Sequence, residues 1–484
     1  MIAVTGARGF VGRSFIRAFH QEFRIRGLGR SRRPAGLPTS VQWQAADLYS
    51  LLDAENALKG CDIALYLVHS MLPSARLMQG SFEDTDLILA DNFARAAARN
   101  KVRKIIYLGG ILPDLPEPEL SPHLRSRKEV EVVLGSTGIP VISLRAALVL
   151  GKGGSSFEMM RKLVDRLPLM ICPSWTSSLS NPVYIHDLLA LMRQLITESH
   201  TKSAIVNAPG PNRLNYISLM KKTALALGKR RFFLPVSFYS PRLSLLWVEL
   251  ITGSSSELVS PLVESLKHDM IAEAPRKYSK FLRTTIDEAL QNASAADPER
   301  RSAELVQDSS IREDRTSAPD GSAAPGQVHT RPSESSEANT RNLVRSVQRL
   351  PLPPQKDAIF LAELYPVWLE KKLSPFLKIR RDPGAGVVGF FGLGLKLLEL
   401  TISEERSDPS RQLYYVTGGL LAAKHSRGRL EFRTLPDLKC ALSAVHEFEP
   451  SLPWFLYKFT QAPIHLWVMH SFARFLDRFA ASGK

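Results

Sequence analysis

The sequence predicts an α/β chain built on a doubly wound parallel sheet with a small cap subdomain, followed by a separate α+β domain. Two observations predict the first part. An apolar run from residue 2 leads into Val4-Thr5-Gly6-Ala7-Arg8-Gly9-Phe10-Val11-Gly12, and a helical pattern continues through Phe15, Ile16 and Phe19. Short apolar runs then alternate with amphipathic helical patterns as far as about residue 150. Strand, G-x-x-G-x-x-G turn and helix, in that order, make the Rossmann arrangement. Its exposed backbone N–H groups and helix N-terminus suit a dinucleotide pyrophosphate. A third observation predicts the second part: alternation at 429–433, then apolar residues at helical spacing near the end of the chain.

Strands are expected at 2–5, 24–28, 63–68, 104–108 and 140–145, with helices over 82–99 and 125–134. The run 63–68 is apolar throughout, as a parallel strand covered on both faces should be. Beyond residue 150, helical stretches at 157–166, 187–196 and 216–227 mix with short strands such as 204–206, which reads as the cap. A ligand is expected between that cap and the carboxyl ends of the strands.

The composition then breaks. No aromatic residue occurs between Phe281 and Phe360, and 293–342 is rich in Ser, Ala, Pro, Glu, Asp and Arg. Such a stretch buries too little apolar surface to offset chain entropy, so a disordered linker is expected over 291–345. It separates a domain at 1–290 from one at 346–484. Order is expected again near Ala358, with strands at 389–392, 411–417, 429–433 and 438–448. The alternation Arg429-Leu430-Glu431-Phe432-Arg433 predicts one solvated face. Ile464, Trp467, Val468, Phe472, Phe475, Leu476 and Phe479 predict a C-terminal core helix gripped by an antiparallel sheet.

Lys and Arg outnumber Asp and Glu by 63 to 47, a formal charge of +16 that suits phosphate-bearing partners. No nucleic-acid-binding motif accompanies it, so nucleic acid is not expected as a partner. Cys61, Cys172 and Cys440 lie far apart and form no C-x-x-C, so neither a metal site nor a disulfide framework is expected. A reducing cytoplasm fits. A strand starting at residue 2 leaves no room for a signal peptide, and no apolar run reaches membrane-spanning length. The stretch 232–253, broken by Pro235, Pro241, Arg242 and Glu249, reads as an apolar lid or a peripheral membrane contact. Oligomeric state is left open.

After the second strand come Gly29-Arg30-Ser31-Arg32-Arg33, where a dinucleotide site meets the adenosine ribose. NAD sites carry an acid there that accepts from the 2′-hydroxyl. Here arginines stand instead, and the guanidinium fork matches phosphate. NADP(H) is therefore expected in preference to NAD(H). The candidate cofactor-binding residues are Gly6, Ala7, Arg8, Gly9, Phe10, Val11 and Gly12 at the turn, and Arg30, Ser31 and Arg32 at the 2′-phosphate. Asp47 and Leu48 would lie beside the adenine, Val68, His69 and Ser70 along the ribose, and Gly109 at a strand end.

These residues carry a resemblance. Thr5-Gly6-Ala7-Arg8-Gly9-Phe10-Val11-Gly12, Tyr66-Leu67-Val68-His69-Ser70-Met71 and Ile105-Ile106-Tyr107-Leu108-Gly109-Gly110 resemble the atypical, extended short-chain dehydrogenase/reductases, nearest to their NmrA-like NAD(P)H-binding members. The likeness covers residues 1–290. Residues 355–484 resemble the SRPBCC-type domain of unknown function often fused behind such modules, on Arg380-Arg381-Asp382-Pro383, the strand pattern and the terminal helix. The first resemblance implies a catalytic Ser with Tyr-x-x-x-Lys, in which Tyr exchanges a proton and Lys holds the nicotinamide ribose. The chain departs from both. Gly109-Gly110 stand where Ser is expected, and His123-Leu124-Arg125-Ser126-Arg127 where Tyr-x-x-x-Lys is expected.

His123 is then the candidate proton donor and Arg127 the candidate ribose contact, four residues apart on one helix face. Three functions follow. The first is an NADPH-dependent oxidoreductase on a hydrophobic carbonyl-type substrate. The second is a non-catalytic NADP(H)-binding sensor or assembly factor, which the missing Ser and Tyr favour. The third is a hydrophobic-ligand carrier regulated by nucleotide.

Overall fold

The computed structural model describes residues 1–69, 77–236, 263–294, 343–423 and 427–482. Ser70, most of the apolar stretch 232–253 and residues 295–342 of the linker expected at 291–345 lie outside them.

The N-terminal half is built on seven strands: β1 (Ile2–Val4), β2 (Ile25–Gly29), β3 (Gln42–Ala45), β4 (Ile63–Tyr66), β6 (Lys104–Gly110), β7 (Val141–Ala146) and β8 (Ala204–Ala208), with β5 (Leu77–Gln79) standing apart. Their order is β8-β7-β6-β4-β1-β2-β3, all parallel. The chain leaves β1 for β2 on one side and returns to β4 on the other, so a crevice opens at the carboxyl end of β1. Thr5 pins that end: its hydroxyl donates to Leu65 O (3.0 Å) and accepts from Leu67 N (2.9 Å).

Helices α1 (Phe10–Phe19), α2 (Leu51–Leu58), α3 (Phe82–Arg99) and α4 (Pro122–Gly135) flank the sheet. Ser81 caps α3 by accepting from Asp84 N at 3.1 Å, and Ser121 caps α4 ahead of Pro122 at its first turn. The cap carries α5 (Ser155–Arg166), α6 (Ile185–Thr197) and α7 (Tyr216–Ala226), with the strand pair Leu169–Cys172 and Phe232–Pro235. Phe232 and Leu234 are exposed. Helix α8 (Ile286–Ser294) closes the half.

Order is present again at β9 (Val344–Pro351), earlier than composition suggested. This strand carries Val, Leu and Pro but no aromatic residue, so it reads like the stretch before it. Then come α9 (Ala358–Leu373), β10 (Leu377–Asp382), β11 (Val387–Gly392), β12 (Leu395–Ile402), β13 (Arg411–Gly418), β14 (Arg429–Leu435), β15 (Cys440–Phe448), α10 (Trp454–Phe459) and α11 (Gln461–Ala481). The sheet runs β10-β11-β12-β13-β14-β15-β9-β5. Its pairs are antiparallel except the last, in which β5 of the N-terminal half joins β9 in parallel.

One face of this sheet packs on α9 and α11. Tyr365, Trp368, Phe432 and Phe472 fill the space between, with ring centroids 5.0–5.4 Å apart. Val468, Phe472 and Leu476 of the expected stripe are buried there, while Ile464 and Trp467 stay exposed. The other face was expected to be solvated and is not. Glu431 and Arg433 are 1% and 0% exposed, because this face lies on α3 and α4 of the N-terminal half. Arg433 meets Asp91 at 2.6 Å and Glu431 at 2.9 Å; Arg411 and His446 also reach Glu431, at 2.7 and 3.2 Å. Arg349 spans Asp84 and Glu129 at 2.8 and 2.6 Å. Between these pairs, Val347, Leu435, Leu442 and Ala444 join one apolar core with Tyr66, Ala90 and Phe93.

Candidate functional site

The glycine turn is built as a cradle. Gly6 has φ +62, and a Cβ there would sit 2.8 Å from Leu67 O. Gly9 N donates to Gly6 O at 2.8 Å, closing the turn onto the start of α1. At Gly12 a Cβ would fall 2.4 Å from Gly6 O, so only glycine lets α1 sit this close to the turn. The result is a helix N-terminus with bare backbone facing the crevice.

A cleft of about 1050 Å³ starts at this turn. That is the upper end of the roughly 300–1,000 Å³ usual for one ligand, so there is room for a second molecule. One end is walled by Arg8, Arg30, Ser31, Asp47, Leu48 and Tyr49. Arg8 donates to the Ser31 hydroxyl, tying the turn to the loop after β2, and Trp43 Nε1 holds Ser31 O at 3.0 Å. The middle is walled by Leu67, Val68 and His69, and the far end by Gly109, Gly110, His123 and Arg127. Met159, Met160, Trp175, Tyr216 and Met220 of the cap make an apolar roof.

Most of the expected residues therefore meet on one cleft. Ala7 does not; it is fully buried beneath the turn. Arg32 is not on the wall either. Arg33 donates to the carbonyls of Val41, Leu37 and Pro38, so it shapes its own loop rather than a phosphate site. Of the arginine run, Arg30 alone reaches the cleft, and Arg8 joins it from the turn.

The far end holds an arrangement that spacing did not show. His69 and His123 face each other with ring centroids 5.1 Å apart. Asp86 of α3 is 2% exposed; it lies 3.3 Å from His69 Nδ1 and accepts from the Ser126 hydroxyl at 3.2 Å. His69 Nε2 and His123 Nδ1 are shielded from solvent and lack a hydrogen-bond partner among the described residues. Burial and the Arg127 charge push His69 down to about 4, against the pull of Asp86. Burial, Arg127 and His69 hold His123 well below its ordinary range. His123, the candidate proton donor, is thus a neutral imidazole at neutral pH. Tyr107, fully buried, donates to Arg127 O at 3.2 Å and fixes that turn of α4. A second glycine segment, Gly151 to Gly154, packs against Phe10 and reaches the cleft at Gly153 and Gly154. Its Gly-Lys-Gly-Gly run ahead of α5 was the available signal.

The histidines have a consequence for stability. His69 takes a proton at 6.5 when unfolded but only near 4 when folded, and half-buried His465 behaves alike. The folded state therefore refuses a proton that the unfolded chain accepts. Stability is full above pH 6.5 and is expected to fall as pH drops from 6.5 towards 4, by about 1.4 kcal/mol per unit for each group. Urea midpoints at pH 7, 6 and 5 check this; His69→Gln should flatten the slope, and an unchanged slope would contradict it.

No protein-family model matches the chain. The auxiliary protein GraX of Staphylococcus aureus is 30% identical over 112 residues, which is 22% of this chain and 36% of GraX. The uncharacterized protein Rv2047c of Mycobacterium tuberculosis is 24% identical over 229 residues, 47% of this chain and 23% of that protein. The chain thus covers little more than a third of one relative and under a quarter of the other. Among solved structures, Citrobacter sp. triphenylmethane reductase complexed with NADP(H) shares 18% identity over 60% of this chain and 100% of that one, at a TM-score of 0.48. MoeE5 in complex with UDP-glucuronic acid and NAD shares 18% over 62% and 99%, at a TM-score of 0.47.

Proposed function

We propose that the chain is an NADP(H)-binding oxidoreductase acting on an apolar carbonyl-type substrate. One observation carries this reading: a single cleft joins the glycine cradle and Arg30 to the His123–Arg127 end under an apolar roof. Backbone N–H groups of the turn would hold the pyrophosphate, and Arg30 with Arg8 the 2′-phosphate. Bound NADPH supplies a hydride. The chain's own part is to exclude water with the methionine-rich roof and to set polar groups at the far end. A neutral His123 offers a hydrogen bond, not a proton, to developing oxygen charge. Arg127 adds fixed positive charge behind it. Three free, buried cysteines suit a reducing cytoplasm.

A second reading, an NADP(H)-binding sensor without turnover, is favoured by Gly110. Nothing lies within 4 Å of a Cβ built there, so the side chain that a catalytic Ser would supply is replaced by open space. For the carrier reading, the interior of the C-terminal domain is occupied by Tyr365, Trp368, Phe432 and Phe472, so an apolar ligand is better placed under the cap.

Titration with NADPH and NADH by nicotinamide fluorescence, then NADPH oxidation with quinones and aldehydes, separates the readings. The oxidoreductase is expected to bind NADPH and turn over at least one apolar substrate, with a loss of about 100-fold in His123→Ala, the scale of losing one hydrogen-bond donor to developing oxygen charge. Tight binding with no turnover across the panel would leave the sensor; no binding of either nucleotide would sink both.

A further inference from the structure

The end of the cleft opposite His123 is lined by the N-terminal half and backed by the C-terminal domain. Strand β9 is held on both edges, by β15 and by β5, with Arg345 in register with Met78. That clamp delivers Arg345, 5% exposed, to the back of the cleft wall. Its guanidinium pairs with the Asp47 carboxylate and lies 4.4 Å over the Tyr49 ring. Both partners line the cleft. Asp47 is further fixed by accepting from Tyr49 N at 3.2 Å, and the Tyr49 hydroxyl bonds Thr85 of α3 at 3.2 Å. Glu447 of β15 is a second acid near Arg345, at 4.0 Å, and is itself bound by Arg429 at 3.2 Å.

We propose that the C-terminal domain completes the cofactor cleft: Arg345 neutralises Asp47 and braces Tyr49, and so favours the more highly phosphorylated dinucleotide. The proposal rests on the reading that this cleft binds a dinucleotide. Asp47 is a carboxylate on the same wall as Arg8 and Arg30. Left unpaired, it would repel phosphate across a partly desolvated space. NADPH carries one phosphate more than NADH, so it loses more. Because Arg345 comes from the other domain, nucleotide binding and domain docking are linked, and each strengthens the other.

The full-length chain tests this with NADPH and NADH as the probes. Arg345→Met is expected to weaken NADPH binding about tenfold and NADH binding less. Adding Asp47→Asn to that variant is expected to restore NADPH affinity, which a merely structural role for Arg345 would not do. If Arg345→Met does not fold, Asp47→Asn alone decides: it removes the negative charge from the cleft wall and is expected to tighten NADPH relative to NADH. Equal losses for both nucleotides, no rescue by Asp47→Asn, or an unchanged ratio in Asp47→Asn alone would overturn the proposal. Failure of the unaltered chain to bind either nucleotide is a different result, seen before any substitution; it removes the cleft reading and this proposal with it.

Discussion

Replacing Glu431 by Gln is expected to cost the fold about 3–5 kcal/mol, the scale of breaking a buried ion pair from one side. Glu431 is 1% exposed and meets Arg411, Arg433 and His446 at once. Burial alone would raise its carboxyl; Arg433, Arg411 and His446 together hold it well below the usual range. Without that charge, Arg433 keeps only Asp91, which Arg95 also holds at 2.7 Å, and buried Arg411 loses the carboxylate it meets at 2.7 Å. The loss should appear as a lower urea midpoint at an unchanged m-value. Glu399→Gln is the comparison: its partner Lys396 is about half exposed, and less than about 1 kcal/mol is expected. Equal midpoint shifts in the two variants would show that the Glu431 cluster is solvated and weak.

Gly12→Ala is expected to reduce nucleotide affinity by about 100-fold, the scale of a displacement near 1 Å at a binding surface. The added Cβ meets Gly6 O at 2.4 Å and Ala7 Cα at 2.9 Å, and both are backbone atoms that have no rotamer to change. Relief requires α1 to move off the turn, which takes its N–H groups away from the pyrophosphate position. Gly60→Ala is the control: unlike Gly12 it has a positive φ, of +71, but nothing lies within 4 Å of its Cβ. It should lower stability modestly and leave binding intact. Wild-type affinity in Gly12→Ala would count against the cradle.

The cradle was legible because its signal is local: three glycines, a strand before and a helix after. The parallel sheet was legible for the same reason, through alternation of short apolar runs and helices. Helix α9 was not, since Pro366 and an apolar surface nearly all round leave no stripe to detect. The polar face of β14 misled because alternation reports that two faces differ, not what covers them. Glu431 and Arg433 look like solvated residues until Asp91, 342 positions from Arg433, is set against them. The meeting of His69 with Asp86 and His123 is likewise a product of the fold. Those residues sit in the loop just after β4, on α3 and on α4, and no spacing rule joins them. Arg33 shows the converse: the right residue in the right loop, spent on three carbonyls of its own turn.

A three-residue strand, β5, has the widest reach. Leu77, Met78 and Gln79 form one edge of a sheet otherwise made wholly from residues beyond 343. Gln79 Nε2 also holds Ala462 O at 2.8 Å, and Gln348 returns a bond to Gln79 O at 3.1 Å. A protease that cut within 295–342 would therefore nick the polypeptide without parting the particle: the two pieces would stay clasped through a shared sheet, and would travel together through a sizing column.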